Sequence, residues 1–300
     1  MKRLFSILTA ITVGTAALTG CNEERITYTG PSYMMFADTL SVYPVQQSCE
    51  PLGVDIAATR AADHDRTFGV EVINKGSNAV YGRHYTLESS SVTIPAGECA
   101  TKVYIKGIYD NIEATDSLGF TLRLVSLDDV EWDLYGVETK VRIEKSCPFD
   151  INDYTGYCLV TSSFFMEYAA SDTKLARSEI VEGEENTIII RGLYSDDYDV
   201  KVKLDPTDPL NPTFKLAGEQ HIAGTREFFN YVYGTGRMTA TDAQSAPNVF
   251  NSCQNYALQY LTLHIEGMTD EELANMGTST VGTFVNIIEW ISDSEAEAYK

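Results

Sequence analysis

The chain is short of positive charge, histidine, tryptophan and long apolar runs. It carries 22 lysines and arginines against 43 aspartates and glutamates, a formal net charge of −21. Such a surface repels nucleic-acid phosphate and anionic headgroups, so no nucleic-acid partner is expected. Beyond the first twenty residues nothing approaches the roughly 18 uninterrupted apolar residues of a spanning helix. The four histidines, His64, His84, His221 and His264, are scattered. His64 stands between Asp63 and Asp65, and neighbours on an extended chain point opposite ways. His264 falls in an alternating strand, where the pleat sets its side. No GxSxG, HExxH, P-loop or GxGxxG pattern occurs. A hydrolase would need a nucleophile with its base or an open metal site, and neither is visible, so a non-enzyme is expected.

What is present begins at the first residue. "MKRLFSILTAITVGTAALTGC" places Lys2 and Arg3 before an apolar stretch of about 15 residues, too short to span a membrane. It ends in Leu18-Thr19-Gly20-Cys21, which resembles a lipobox. The expectation is a signal over 1–20, cleaved before Cys21, whose thiol carries the lipid. Several acyl chains give stable anchoring, since each buried CH₂ contributes about 0.8 kcal/mol. Asn22, Glu23 and Glu24 follow, and an acidic cluster there resembles the surface-export signal of Bacteroidetes lipoproteins. Residues 21–32 then read as the lipidated cysteine and a polar tether. The expected location is the outer membrane, lipid-anchored and facing the medium.

Hydrophobic residues make up 44 %, with 18 tyrosines and 12 phenylalanines, ample for packed cores. Without its leader the chain has the length of two domains. Of the six cysteines, Cys49, Cys99, Cys147, Cys158 and Cys253 remain once Cys21 is assigned to lipid. An exported compartment permits disulfides. Cys49 and Cys99 both fall in the first half, and Cys147 and Cys158 flank the domain junction. The spacings match no zinc pattern and leave the pairing open.

From residue 33 to about 146 the pattern is short strands and turns. "TFGVEVIN" alternates Phe68, Val70 and Val72 against polar neighbours; "LGFTLRLVSL" does the same with Phe120, Leu122 and Leu124. "YMMFADTLSVYPV" holds one or two strands. Seven or so strands in this length predict a β-sandwich. The stretch "YGRHYTLESSSVTIPAGECATKVYIKGIYDNIEATDSLGFTLRLVS" resembles the Calx-β family in Gly82, Tyr85, "SVTIPAGE" and "TKVYIKGIYDN". The resemblance implies an immunoglobulin-like sandwich and, in the best-known members, calcium held by acidic loops. This chain departs from it: His84 stands where Asp is usual, and Ser117 and Leu118 replace the second acid. Asp110, Glu113 and Asp116 survive as the candidate calcium set. Calcium takes six to eight oxygens from several loops, so three carboxylates in one loop fall short, and no obligatory cofactor is expected.

Pro148 in "SCPFD" ends the first pattern, and residues 147–300 form a second, β-rich unit. "NTIIIRGLY", "YDVKVKLDP", "NYALQYLTLHIEG" and "TVGTFVNIIEWIS" read as strands. Between the last two, "MTDEELANMG" predicts a helical turn capped by Thr269 with Glu272 at its third position. The order resembles the C-terminal domain of unknown function that follows a Calx-β-like module in Bacteroidetes lipoproteins, and also lipocalin-like antiparallel barrels. The fold expected is therefore mainly β: an immunoglobulin-like sandwich, then an antiparallel barrel or meander. Asp196, Asp197, Asp199 and Asp205 miss the EF-hand spacing and read as a hairpin turn.

Two aromatic clusters stand out, "SSFFMEY" with Phe164 and Phe165, and "REFFNYVYGTGR" with Phe228, Phe229, Tyr231 and Tyr233. They fill a barrel core or form a platform on which sugar faces stack. Phe228, Tyr231 and Tyr233 are the candidate ligand-binding residues; Trp132 and Trp290 admit either role. The functional expectation is a non-catalytic surface lipoprotein that binds, scaffolds or adheres, with a glycan or protein partner. The alternatives are a carbohydrate-binding accessory of a polysaccharide-uptake system and a glycosidase or peptidase whose site the sequence hides, since carboxylate pairs are assembled only by the fold.

Overall fold

The structure, a computed structural model, describes residues 28–125, 130–131 and 136–300. The leader, Cys21, most of the tether and Trp132 lie outside them. The period-two alternation becomes strands almost everywhere it occurs. In the first half these are β1 (Tyr33–Phe36), β2 (Leu40–Val45), β3 (Leu52–Ala58), β4 (Arg66–Ile73), β5 (Tyr85–Leu87), β6 (Ser91–Ile94), β7 (Ala100–Gly107), β8 (Leu118–Val125), β9 (Val130–Glu131) and β10 (Glu138–Lys145). They form two five-stranded sheets, β5-β7-β3-β1-β9 and β2-β10-β8-β4-β6. Val54, Ile56, Val103 and Ile105 face Phe68, Phe120, Leu122 and Ile143 in a shared core. Buried Tyr85 stacks on Phe120, ring centroids 3.8 Å apart.

"YMMFADTLSVYPV" makes two strands, and they belong to different sheets. β1 pairs antiparallel with β3, while β2 runs parallel to β10 from Leu40 beside Lys140 to Val45 beside Lys145. The Phe36 amide meanwhile reaches the Gly136 carbonyl at 2.6 Å. β1 and β2 thus run in the same direction as β9 and β10, beside which they lie. Tyr33 therefore lies at the end of the sandwich away from Lys145, where the second half begins.

The second half contains β11 (Gly156–Ser162), β12 (Thr173–Ile180), β13 (Thr187–Arg191), β14 (Val200–Asp205), β15 (Thr213–Leu216), β16 (Gln220–Gly224), β17 (Arg237–Asp242), β18 (Val249–Asn251), β19 (Tyr256–Ile265) and β20 (Thr280–Trp290). Each strand pairs antiparallel with its neighbours, and β20 pairs with both β19 and β11. The sheet therefore closes as an eight-stranded up-and-down barrel through β11, β12, β13, β14, β15, β18, β19 and β20. The barrel of the sequence reading is present, and closure leaves it few free edges. β19 shows the pattern most cleanly, with Ala257, Gln259, Leu261, Leu263 and Ile265 all inward.

Two of the barrel's walls are broken strands. β15 and β16 are consecutive, as are β17 and β18. β19 pairs with β18 near its start and with β17 near its end. β15 meets β18 through one residue pair, Thr213 with Val249. Side chains complete the ladder where the backbones part. Gln220 accepts the Lys201 N–H at 2.7 Å and donates to the Lys201 carbonyl at 2.6 Å. The Asp242 carboxylate accepts the Leu216 N–H at 3.2 Å and an Asn248 amide proton at 2.7 Å. Both side chains occupy places that a neighbouring strand's peptide would fill.

At the floor of the barrel a single 3₁₀ turn, Ile151–Tyr154, drives Tyr154 inward. Its ring lies 4.9 Å from Trp290 and 5.2 Å from Phe250. Trp290 donates its indole N–H to the Ser178 hydroxyl at 2.8 Å, so this tryptophan is a floor residue. Just outside, Cys147 and Cys253 form a disulfide. Cys49, Cys99 and Cys158 are free, and burial pushes the Cys158 thiol up to about 12.

Candidate functional site

The candidate site is the barrel mouth, opposite this floor. Here β11, β13, β16 and β19 end and β12, β14, β17 and β20 begin. The connections are longer than at the floor and carry three short helices. α1 (Ser163–Tyr168) starts because the Ser162 hydroxyl accepts the Phe164 N–H at 3.2 Å. α2 (Thr225–Phe229) stops at Asn230, which takes a left-handed conformation. α3 (Asp270–Met276) has the capping box expected from Thr269 and Glu272 and ends on Gly277, again left-handed.

The two aromatic clusters lie on α1, α2 and the loop after α2, and they meet. Phe164 is fully buried, with its ring 4.8 Å from Phe228, 5.2 Å from Phe284 and 5.3 Å from Tyr194. It plugs the mouth. From Phe164 a series of edge-to-face and tilted contacts runs outward: Tyr168 at 4.9 Å, Phe229 5.2 Å from Tyr168, Tyr233 6.1 Å from Phe229, and Tyr231 4.6 Å from Tyr233. These spacings are those at which aromatic quadrupoles attract. Tyr231 is 57 % exposed and Val232 46 %. The ladder thus begins in the core and ends in solvent.

Of the three ligand-binding candidates, Tyr231 and Tyr233 stand on the outer rungs, while Phe228 turns in against Phe164. Phe229, a member of the second cluster, and Tyr168, which the sequence reading did not name, complete the series. On α1, Phe164 and Tyr168 lie four apart behind the Ser162 cap and so share one face, which brings their rings together.

Under the plug lies a polar layer. Tyr194 donates its hydroxyl to Asn286 Oδ1 at 2.9 Å, and Asn286 Nδ2 donates to Gln259 Oε1 at 2.9 Å. Burial pushes the Tyr194 phenol up to about 12, against the pull of its bonds to Asn286 and Ser162. Amides and such a phenol neither take nor give a proton near neutrality. The mouth can stack and hydrogen-bond.

The outer loops are locked together. The Thr235 N–H donates to the Glu266 carbonyl at 2.8 Å, and the Glu266 N–H to the Arg237 carbonyl at 3.0 Å. Gly234, with φ +53°, passes so close that a Cβ there would collide with the Glu266 carbonyl.

The calcium set does not assemble. Asp110 sits in a 3₁₀ turn and lines a cleft with Gln47, Cys49 and Lys106. Asp116 folds back to accept the Glu113 N–H at 2.9 Å and lines a different cleft, of about 320 Å³, with Arg142 and Ser146. Among the described residues no three His, Cys, Asp or Glu side chains form a group able to hold a metal ion. His84, at the departed position, is buried and accepts the Val80 N–H on Nδ1 at 3.0 Å, holding its own loop. These residues do not fit the calcium centre that the Calx-β resemblance implied.

Fold and site together define a two-core β protein whose C-terminal barrel has an aromatic-capped mouth. Residues 134–300 match the family described as a domain of unknown function, DUF4984, and the chain belongs to that family. The matched stretch starts ahead of β10 and so takes in the sandwich's last strand along with the whole barrel. No curated protein matches the chain. Among solved structures, the apo-form Calx CBD1 domain is similar at 16 % identity, covering 39 % of this chain and 98 % of that one, TM-score 0.32. A Bacteroides ovatus protein of unknown function is similar at 9 % identity over 86 % of this chain and 94 % of that one, TM-score 0.36. A candidate carbohydrate-binding protein from Bacteroides ovatus is similar at 12 % identity over 80 % and 83 %, TM-score 0.30.

Proposed function

We propose that the protein is a lipid-anchored, non-catalytic binding module at the outer surface of the cell, and that its barrel mouth holds glycan on Tyr231 and Tyr233. The observation that carries the reading is the aromatic ladder, whose buried base fixes the exposed rings at its tip. A rigid ring with an exposed face presents apolar surface at little entropic cost, which suits the flat C–H face of a pyranose. The lipobox at Cys21 supports the anchor, and the Cys147–Cys253 disulfide suits an exported, oxidising compartment. The sandwich starts at its end away from the barrel, so a tether at residues 21–32 would leave the mouth facing outward.

Affinity electrophoresis of the purified protein through gels of xylan, mannan, β-glucan and polygalacturonate tests this. At least one polysaccharide is expected to retard the protein. Tyr231→Ala and Tyr233→Ala should each weaken that binding about three- to tenfold, the worth of one aromatic contact, with unchanged melting for the exposed Tyr231. Retardation by none of the four, or retardation that both variants retain in full, overturns the glycan reading.

A further inference from the structure

Glu272 satisfies two backbone donors from separate parts of the chain. Its Oε2 accepts the Thr269 N–H at 2.7 Å and the Thr269 hydroxyl at 2.9 Å, which closes the capping box of α3. Its Oε1 reaches a segment 38 residues earlier and accepts the Gly234 N–H at 3.0 Å. A capping box asks for one acceptor at this position, and Gln serves there as well as Glu. The second oxygen is therefore not explained by the helix. Gly234 directly follows Tyr233 and lies three residues from Tyr231. It is also the point where the loop passes too close to Glu266 to admit a side chain.

We propose that Glu272 is the positioning residue of the mouth: its second oxygen pins the loop over 230–236 to α3 and so sets the spacing of Tyr231 and Tyr233. The inference rests on the binding role given to those tyrosines, and it adds the group that prepares them. A loop held in advance does not lose its freedom at the moment of binding, so affinity depends on the latch without any contact between Glu272 and the ligand. Only a carboxylate offers one oxygen to each N–H. The Thr269 N–H, the Gly234 N–H and the Thr269 hydroxyl, in that order, favour its ionised form and hold it below the usual carboxylate range. The other titratable groups around it are Asp270 and Glu271 on α3, the Tyr233 phenol on the loop, and Glu266, which accepts the Thr235 hydroxyl at 3.0 Å and lies 3.8 Å from His221.

Amide NMR of the purified protein tests the latch without any ligand. The Gly234 amide resonance is expected to move with pH along a titration centred below the ordinary glutamate value of about 4.3. It should do so in the wild type and in Thr269→Ala, which loses the helix cap and the hydroxyl bond to Glu272 but keeps the carboxylate's two backbone N–H bonds, and not in Glu272→Ala. The ring-to-ring NOE of Tyr231 and Tyr233 should survive in the first two and vanish in the third. For the polysaccharide that retards the wild type, Glu272→Ala should weaken binding about tenfold while Thr269→Ala stays within about twofold, because preorganisation is lost only in the former. A Gly234 amide that fails to titrate, or equal affinity losses in the two variants, overturns the positioning role. A titrating Gly234 amide in a protein that binds none of the polysaccharides supports the latch and sinks the glycan reading instead.

Discussion

Two carboxylates show how far the surroundings decide what a residue does. Glu272 is exposed and charged by choice of partners; Asp242 is half-buried, and its burial raises its pKa despite hydrogen bonds from Leu216 and Asn248. A folded pKa above the unfolded value means that the folded state binds the proton first. Stability from this group therefore grows as pH falls through the folded pKa toward the unfolded value of about 3.9, and is lower above that window. Asp242→Ala leaves the Leu216 N–H and an Asn248 amide proton without their acceptor, at a cost of about 1–2 kcal/mol. The deficit of Asp242→Ala relative to wild type, read from urea unfolding at pH 7 and pH 4, should be larger at pH 4. An equal or smaller deficit there would show that Asp242 is not penalised by burial. The residue scale is also where the sequence was most uneven. Thr269 and Glu272 were legible because a capping box is local; the Glu272 bond to Gly234 was not, because only the fold brings α3 to that loop. Tyr231 and Tyr233 were legible by their density, whereas the inward turn of Phe228 depends on Phe164, 64 positions earlier. The acids at 110, 113 and 116 looked like a set because they are close in sequence, yet Asp110 and Asp116 face different clefts.

Among the elements, the broken walls matter most, because a closed barrel has no spare strand to cover a gap. Gln220 bridges the gap beside β14. The Lys201 carbonyl also accepts the Ala217 N–H at 3.0 Å, but the Lys201 N–H is served by the Gln220 side chain. Gln220→Ala should therefore orphan that one amide, lower stability by about 1–3 kcal/mol, and raise hydrogen exchange at Lys201 above that of Val202 and Lys203. Unchanged exchange at Lys201 would mean that the side chain is not part of the ladder. Strand alternation was readable for β4, β8, β14, β19 and β20, since each has at least six residues and one clear inward face. The breaks between β15 and β16 and between β17 and β18 were not readable, because Gln220 and Asp242 mimic peptides with polar side chains that look like ordinary surface. α1 and α2 were missed as well. Helices of six and five residues complete less than two turns, too few to display a 3.6-residue period, and their phenylalanines suit a strand equally well.

Across the whole molecule, one covalent bond braces the barrel at the point where the chain enters it from the sandwich. Lys145 ends the sandwich's last strand, Cys147 follows two residues later, and its partner Cys253 sits in the turn between β18 and β19 with its sulfur 3.8 Å from the Lys145 carbonyl. The loop that the disulfide closes spans 106 residues and contains every barrel strand from β11 to β18. Closing so long a loop restricts the unfolded barrel and leaves the unfolded sandwich unrestricted, for a stabilisation of about 2–5 kcal/mol. The two free cysteines of the sandwich, Cys49 and Cys99, form no bridge that a reductant could open. Calorimetry with and without dithiothreitol, or of Cys147→Ser with Cys253→Ser, should therefore lower the barrel's melting temperature by roughly 5–15 °C and leave the sandwich's in place. In a Trp132→Phe background, Trp290, on the barrel floor against Tyr154, gives an optical assignment of the barrel transition. If both transitions fall together, the bond couples the halves instead of bracing one of them. If neither falls, the aromatic floor of Phe149, Tyr154, Phe250 and Trp290 holds the barrel shut unaided, and the disulfide adds nothing to its stability.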